Sequence, residues 1–206
     1  MTSIADIILT RRCPFCGEVT ELDKNECDSC RSALPKPRIK AVNEALCAYP
    51  LPYQGVYREA VLRYKFRRQR YLAARLAVYM AEAVGSCFGG ERFDLICYVP
   101  AYRDRAFKFN HSRLLAEKLS KILSLPCKEA LVKRVKTQKQ HNLSYELRKS
   151  NVKNAFAPNG DYTGASILLV DDIITTGNTM AECIRALRLG GVDRVCGIAL
   201  CGPHRQ

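Results

Sequence analysis

The sequence lacks long apolar runs, and it lacks the charge pattern of a secretion signal. No segment approaches the roughly 18 consecutive apolar residues that suggest a transmembrane helix, although 48% of the 206 residues are apolar. Near the N-terminus the apolar stretch Ile4–Leu9 is short, and Arg11 and Arg12 follow it rather than precede it. We therefore expect no membrane insertion and a cytoplasmic location.

Two common phosphate-binding motifs are also missing. No segment matches the Gly-x-x-x-x-Gly-Lys pattern of P-loop nucleoside triphosphatases, and none matches the Gly-x-Gly-x-x-Gly pattern of dinucleotide-binding sites. The sequence shows no internal repeat and no low-complexity tract. These absences exclude both classes of nucleotide site, so a phosphate site has to be sought in another pattern.

Positive charge is abundant but is concentrated in the middle of the chain. Lys and Arg number 33 against 20 Asp and Glu, which gives a formal net charge of +13. Residues 51–150 hold 21 of the basic residues and 8 of the acidic ones, whereas the flanking segments are balanced. An excess of positive charge attracts anions, so we expect a polyanion or a phosphate-rich ligand to bind to this part of the chain.

Eleven cysteines are present, and the first four form two Cys-x-x-Cys turns separated by ten residues. These four are Cys13, Cys16, Cys27 and Cys30. Two such turns supply four thiolates in the tetrahedral arrangement that Zn²⁺ prefers. The odd count and the absence of an export signal argue against a disulfide framework. We predict a structural Zn²⁺ site, with a redox pair or unligated thiols as the alternative, and we expect the seven lone cysteines to be core residues.

Beyond the cysteine turns, helical and extended patterns alternate. The predicted helices lie within 56–84, with a break at 67–70, and at 112–123 and 179–189. The predicted strands lie at 46–49, 94–99, 128–135, 167–170 and 194–201. Buried apolar strands between helices indicate a parallel sheet. The sequence therefore predicts a zinc-ribbon domain over 1–40 and an α/β domain over 41–206.

The segment after the strand at 167–170 combines acidic and phosphate-binding features. Asp171 and Asp172 stand at the strand end, and the turn Thr175–Thr179 leads into a helix. Main-chain N–H groups at a helix start bind anions, and Gly177 permits close approach of a phosphate. Because the two carboxylates would repel a phosphate beside them, we expect them to accept hydrogen bonds from vicinal sugar hydroxyls. The alternative is a threonine-capped helix that binds nothing.

This segment resembles the phosphoribosyl-pyrophosphate (PRPP) binding motif of type I phosphoribosyltransferases. The resemblance implies that the threonine turn holds the 5′-phosphate and that the acidic pair, as the catalytic residues, holds the ribose hydroxyls. It also implies a pyrophosphate loop after the strand that ends at Pro100. The implied PRPP-binding residues are Val170, Asp171, Asp172, Thr175, Thr176, Gly177, Asn178, Thr179, Ala101, Tyr102, Arg103 and Arg105.

The order of the pieces along nearly the whole chain resembles the ComF (competence protein F) family. The pieces are the four-cysteine ribbon, Val99-Pro100, Phe109-Asn110, the run Arg134-x-x-Thr137-x-x-Gln140 continuing to Ala155-Phe156, and the acidic motif. The resemblance implies a type I phosphoribosyltransferase fold with a hood, Mg²⁺ bound with PRPP, and a link to DNA uptake. The basic segment 133–151 is the implied flexible hood over the pyrophosphate, with Lys133, Arg134, Lys136, Lys139 and Arg148 as its cations.

Two functions remain open. One is a Mg²⁺-dependent phosphoribosyltransferase that acts on PRPP, or a related ribose phosphate, and a nitrogenous acceptor. The other is a non-catalytic accessory of DNA uptake that binds single-stranded DNA and a competence helicase or DNA-processing protein. Stacking and phosphate neutralisation would come from Tyr57, Tyr64, Phe66 and Tyr71 interleaved with Arg58, Arg63, Lys65, Arg67, Arg68 and Arg70. The alternative for these aromatic residues is the core face of a helix.

Overall fold

The computed structural model describes residues 11–67, 69–101, 109–134 and 154–204. The strands are β1 (Arg11–Arg12), β2 (Val19–Thr20), β3 (Arg38–Val42), β4 (Ala45–Tyr49), β5 (Leu51–Pro52), β6 (Leu95–Tyr98), β7 (Cys127–Lys128), β8 (Leu131–Lys133), β9 (Phe156–Pro158), β10 (Ser166–Ile173) and β11 (Arg194–Gly202). The helices are α1 (Asp28–Ser32), α2 (Gly55–Phe66), α3 (Leu72–Phe88), α4 (His111–Leu123) and α5 (Asn178–Leu189). Among these residues no helix has the length and apolar character needed to cross a membrane.

The main sheet has the strand order β3-β4-β11-β10-β6-β7, and β5 also pairs with β11. All of its pairings are parallel except that of β3 with β4. Strand β10 lies between β11 and β6, so it is an inner strand of the sheet. Its carboxyl end lies between the ends of these two neighbours, along the edge formed by the carboxyl ends of the parallel strands. In open α/β sheets, this edge is where ligands bind.

The predicted parallel sheet is confirmed, and one antiparallel edge strand is added to it. Strand β3 was not predicted, and it forms a hairpin with β4 through Asn43 and Glu44. Both turn residues have positive φ values, 48° and 62°, as a two-residue turn of type I′ requires. The hairpin brings β3 beside the segment that follows β10.

Most predicted elements agree with the structure, and two differ in extent. The helical pattern at 56–84 is divided into α2 and α3, as predicted from the basic break. The single strand predicted at 128–135 is instead two short strands, because β7 joins the main sheet whereas β8 pairs with β9. Strand β10 continues past the predicted residues 167–170 to Ile173, and it carries both aspartates.

The sheet is covered on both faces, and β10 contributes alternate residues to each. Leu168 and Val170 belong to the cluster that α2, α3 and α4 complete, whereas Ile167 and Leu169 pack with α5. Successive side chains of a strand point to opposite faces. This alternation places Asp171 and Asp172 on opposite sides of the sheet edge.

The cysteine-bearing segment packs on the same core as α2 and α3. The Phe15 ring is fully buried and lies 5.1 Å from the Tyr57 ring and 5.0 Å from the Tyr79 ring. Tyr57 Oη donates a hydrogen bond to the Ala33 carbonyl at 2.8 Å. The boundary at residue 40 stays a prediction, and β3, which begins at Arg38, belongs to the main sheet.

Five of the seven lone cysteines are core residues, as predicted, and the other two are only half-buried. Cys47, Cys97, Cys183, Cys196 and Cys201 are buried, and Cys87 and Cys127 are half-buried. Burial raises the pKa of the Cys47 and Cys97 thiols to about 12. Such thiols are unreactive near neutral pH and behave as small apolar residues.

Candidate functional site

The four predicted zinc ligands converge on one point. Their sulfur atoms all lie within 4.8 Å of one another, and the Sγ atoms of Cys16 and Cys27 are 3.6 Å apart. Gly17 closes the first turn with a φ of 85°, and its N–H donates to the Cys13 carbonyl at 3.1 Å. The cluster could therefore bind a metal ion such as Zn²⁺.

The main chain around Cys13 favours a thiolate, whereas burial raises the pKa of the Cys16 and Cys30 thiols. Burial works to raise the pKa of the Cys13 thiol, but hydrogen bonds from the main chain of Cys27, Cys16 and Phe15 outweigh it and lower the pKa to about 7. Because the thiolate is the form that ligates a metal, these donors favour the binding form. Four sulfur ligands would leave no open position on a tetrahedral ion, which is the pattern of structural rather than catalytic zinc sites.

Arginine side chains from α2 and α3 hold the cysteine segment in place. Arg63 Nη2 donates to the Pro14 and Phe15 carbonyls, at 2.6 and 2.7 Å, within the first Cys-x-x-Cys turn. Arg75 is buried and donates through Nε to Asn25 Oδ1 at 3.1 Å. Sequence analysis assigned Arg63 to a nucleic-acid surface, whereas the structure places its guanidinium on the cysteine turn.

An open pocket lies at the carboxyl end of β10, where the phosphate loop was predicted. Its lining comprises Asp171, Ile173, Ile174, Thr175, Thr176, Gly177, Asn178, Thr179 and Met180. Gly177 caps α5 with a φ of 91°. The helix start thus directs main-chain N–H groups and hydroxyls to one small space, which is the chemistry of an anion site.

Lys40 of β3 holds the phosphate loop from the side of the hairpin. Its Nζ donates to the Thr175 carbonyl at 2.7 Å and to the Thr176 carbonyl at 3.1 Å. The same hairpin brings Val42 against Gly177, where an added Cβ would lie 3.1 Å from Val42 Cγ2. Sequence analysis missed Lys40, because nothing in the sequence near position 40 indicates contact with a loop 135 residues away.

Asp171 is buried at the edge of the pocket. Its Oδ1 accepts hydrogen bonds from Ser112 Oγ and from the Asp172 N–H, both at 2.8 Å. Burial, and then the charge of Asp172, raises the pKa of Asp171 to about 7. A carboxyl group with such a pKa exchanges a proton near neutral pH, which marks a candidate functional position.

Asp172 lies on the other side of the strand, in contact with α2. Its Oδ2 is 2.7 Å from Lys65 Nζ, and only 14% of its side chain is exposed. Burial works to lower the pKa of Lys65, but the charge of Asp172, its hydrogen bond to Lys65 and the charge of Asp171 together outweigh burial, and the pKa rises. The structure thus brings Asp171 into the pocket and pairs Asp172 with a lysine that sequence analysis assigned to DNA binding.

The start of α4 positions Ser112 beside Asp171. Asn110 caps the helix, since its side chain accepts a hydrogen bond from the Arg113 N–H at 3.1 Å. The Asn110 Nδ2 also donates to the Val99 carbonyl at 3.0 Å, which connects α4 to the end of β6. Sequence analysis noted Phe109-Asn110 within a family resemblance but gave Ser112 no role.

A row of rings and one guanidinium begins at Tyr64 of α2 and continues through His111 and Phe109 to Arg70. The His111 ring lies 5.3 Å from the Tyr64 ring and 4.8 Å from the Phe109 ring. Arg70 stacks over Phe109 at 3.8 Å from the ring centroid. Burial lowers the pKa of His111 and so favours its neutral imidazole. Tyr64 in this row is a core residue, as the alternative interpretation held.

The remaining predicted positions divide between described and undescribed residues. Ala101 is exposed after β6. Tyr102, Arg103, Arg105 and Arg68, together with the hood residues Lys136, Lys139 and Arg148, lie outside the described residues. Of the four aromatic residues proposed for stacking, Tyr57 and Tyr64 are buried, whereas Phe66 and Tyr71 are each 65% exposed.

Comparisons with known proteins give a domain and several relatives. A family model described as phosphoribosyl transferase domain matches residues 110–206. The DNA utilization protein YhgH of Escherichia coli (strain K12) is 31% identical over 204 residues, which cover 92% of this chain and 89% of that protein. Competence protein F of Haemophilus influenzae is 35% identical over 144 residues, covering 66% of this chain and 63% of that protein.

Solved structures that resemble the chain include an amidotransferase and a phosphoribosyltransferase. One is a glutamine PRPP amidotransferase from B. subtilis, at 20% identity and a TM-score of 0.44, covering 62% of this chain and 25% of that one. The other is a purine phosphoribosyltransferase from Pyrococcus horikoshii Ot3, at 19% identity and a TM-score of 0.41, covering 64% and 73%.

Proposed function

The chain belongs to the ComF (competence protein F) family and carries a phosphoribosyltransferase domain, and from this premise we propose that it binds PRPP at the carboxyl end of β10. The observation that carries the proposal is the pocket in which Asp171 and the loop of residues 173–180 face one space. A helix start bearing hydroxyls supplies donors for a phosphate, and a carboxylate supplies an acceptor for a hydroxyl. A sugar phosphate has both groups.

The proposed roles follow the chemistry of each position. Main-chain N–H groups and hydroxyls of Thr175–Thr179 hold the 5′-phosphate, with Val170 at the base of the loop. Asp171 and Asp172 hold the ribose hydroxyls, and Ala101, Tyr102, Arg103 and Arg105 hold the pyrophosphate. Mg²⁺ bound with PRPP supplies positive charge that stabilises the departing pyrophosphate. The reaction is transfer of the phosphoribosyl group to a nitrogenous acceptor.

Zinc at the four-cysteine cluster is part of the same proposal. The cluster offers four sulfur ligands of the kind that Zn²⁺ prefers in structural sites. Its role is to keep the Cys13 and Cys27 turns folded against α2 and α3.

Calorimetry with PRPP and Mg²⁺ tests the proposed function. We expect the wild type to bind PRPP and the Asp171→Asn/Asp172→Asn variant to bind it at least tenfold more weakly, because the hydroxyl acceptors lose their charge. Asp193→Asn is the control, since this exposed aspartate directly precedes β11 and so lies at the amino end of the parallel strands, away from the pocket. Absence of PRPP binding by the wild type, or equal binding by all three proteins, would refute the proposal.

A non-catalytic accessory of DNA uptake is the second candidate. Phe66 and Tyr71 are exposed on either side of the basic break between α2 and α3, next to Arg67 and Arg70. Exposed aromatic rings among arginines fit base stacking with phosphate neutralisation. The names of the relatives, DNA utilization protein and competence protein F, support a link to DNA. A competence helicase or DNA-processing protein is the proposed protein partner.

A salt titration of single-stranded DNA binding tests this second function. We expect the affinity to fall steeply with ionic strength, and Phe66→Ala/Tyr71→Ala to weaken binding about tenfold or more, since stacking on each ring contributes about 1–3 kcal/mol. Val56→Ala is the matched control, as an exposed apolar residue elsewhere on α2. Binding that is insensitive to both salt and the double substitution would exclude this surface.

A further inference from the structure

Lys65 lies where two neighbouring carboxylates would otherwise repel each other. Adjacent acidic residues at a buried strand end disfavour their own ionised forms, through both desolvation and mutual repulsion. The Lys65 side chain is only 20% exposed, and its ammonium group is 2.7 Å from Asp172 Oδ2. This positive charge comes from α2, a helix on the opposite side of the sheet from α5.

The two aspartates are held by different groups from different helices. Ser112 of α4 donates a neutral hydrogen bond to Asp171, whereas Lys65 of α2 makes an ion pair with Asp172. The ion pair engages Oδ2 of Asp172, and a carboxylate has further lone pairs on Oδ1. The contact therefore fixes the orientation of Asp172 without using all of its capacity to accept hydrogen bonds.

Stability alone gives a weak reason for this arrangement. The desolvation cost of two buried charges often equals or exceeds their attraction, so a buried ion pair adds little to folding compared with apolar packing. A charged pair at the ligand-binding end of a parallel sheet has a clearer use in holding a carboxylate in a fixed orientation.

We propose that Lys65 is a positioning residue for the sugar part of the ligand, which acts by fixing Asp172 as an oriented acceptor for a ribose hydroxyl. This inference rests on the proposed function of the pocket. Lys65 pairs with Asp172 and not with the phosphate loop, so its removal affects recognition of the sugar and not recognition of the phosphate.

Calorimetry with two probes, inorganic phosphate and ribose 5-phosphate, separates these effects. We expect Lys65→Met to weaken binding of ribose 5-phosphate at least tenfold while inorganic phosphate changes less than threefold. Lys65→Arg keeps a cation that can pair with Asp172 and is expected to recover most of the affinity for ribose 5-phosphate. Lys121→Met, an exposed lysine of α4, is expected to match the wild type with both probes.

The outcomes distinguish the inference from the function on which it depends. If the wild type binds neither probe, the proposed function of the pocket fails, and the inference fails with it. If the wild type binds ribose 5-phosphate and Lys65→Met binds it equally well, only the role of Lys65 is overturned. Parallel losses for both probes in Lys65→Met also overturn it, since they indicate a general loss of structure or charge.

Discussion

At the scale of single residues, Gly177 is the position where the phosphate loop depends on the absence of a side chain. Its φ of 91° lies in the left-handed region, and an added Cβ would come within 3.1 Å of Val42 Cγ2. We expect Gly177→Ala to lower the free energy of unfolding by about 1–2 kcal/mol. We also expect it to weaken inorganic phosphate binding at least tenfold, measured by calorimetry, because the loop has to shift.

Gly85→Ala provides the matched control for that substitution. Gly85 lies inside α3, and an added Cβ there meets no atom within 4 Å. Alanine favours a helix over glycine by up to about 1 kcal/mol, so this variant is expected to be slightly more stable and to bind phosphate normally. Equal phosphate affinity in both variants would show that the loop does not bind phosphate through its main chain.

Asp171 gives the protein a pH-dependent stability of predictable sign. The pKa of this carboxyl is raised by burial to about 7, whereas 3.8 is its ordinary value. Between about pH 4 and pH 7 the folded protein therefore retains a proton that the unfolded chain releases, and the free energy of unfolding falls as pH rises. Asp171→Asn removes this dependence.

Urea unfolding between pH 4 and pH 8 measures that effect. The stability of the wild type relative to Asp171→Asn is expected to fall by a few kcal/mol across the interval, since each pKa unit corresponds to about 1.36 kcal/mol. Asp193→Asn, at an exposed aspartate outside the pocket, serves as the comparison. A relative stability that rises with pH would mean that Asp171 is ionised in the folded protein throughout the interval.

Sequence reasoning found the residues that lie together in one motif and missed those that reach the motif from elsewhere. Asp171 and Gly177 could be predicted because strand, acidic pair and threonine turn are contiguous. Lys40, Lys65 and Ser112 contact this segment only through the fold, and Ser112 is 59 residues from Asp171. A single sequence carries no signal for such pairs.

At the scale of elements, the β3–β4 hairpin acts as a support for the phosphate loop. Lys40 binds two loop carbonyls, so Lys40→Met leaves both without this donor. We expect a loss of about 1–3 kcal/mol in the free energy of unfolding, and a several-fold weaker affinity for inorganic phosphate. Chemical denaturation and calorimetry on the same variant measure the two effects.

Lys36→Met is the control for the loss of a positive charge near this hairpin. Lys36 is exposed and precedes β3, so its substitution removes the charge without removing a contact to Thr175. If Lys36→Met weakens phosphate binding as much as Lys40→Met does, the effect is long-range electrostatics and the hairpin has no supporting role.

The strength of the hydrophobic pattern decided which elements could be predicted. Helix α3 and strand β10 are dominated by buried residues, and both were located from the sequence. Strand β3 has mostly exposed residues, and its turn contains no glycine or proline, so it left no signal of the usual kind. The strand predicted at 128–135 was wrong in extent, because pairing partners rather than local apolar content separate β7 from β8.

At the scale of the whole molecule, the distribution of basic residues in the sequence overstates the charge left for a nucleic acid. Some of the basic residues assigned to that surface are engaged within the fold: Arg63 with the cysteine turn, Lys65 with Asp172 and Arg70 with the Phe109 ring. The aromatic residues of the predicted surface that remain exposed are Phe66 and Tyr71. A DNA-binding surface on this protein is therefore expected to centre on the α2–α3 break rather than along α2.

The cysteine segment and the main sheet share one hydrophobic core, and this predicts how the protein unfolds. Cys13, Phe15 and Cys30 are buried in the cluster that also contains Met80 and Leu168. Because removing a metal from the cysteines would loosen Phe15 and expose that shared core, we expect a chelator to lower the midpoint of a single thermal transition. Cys16→Ser is also expected to lower this midpoint and to lose bound Zn²⁺, as measured by atomic absorption. The control is Cys87→Ser, at a half-buried lone cysteine, which is expected to keep both the metal and the midpoint. Two separate transitions, with only the lower one sensitive to chelation, would instead show that the cysteine segment folds independently of the sheet.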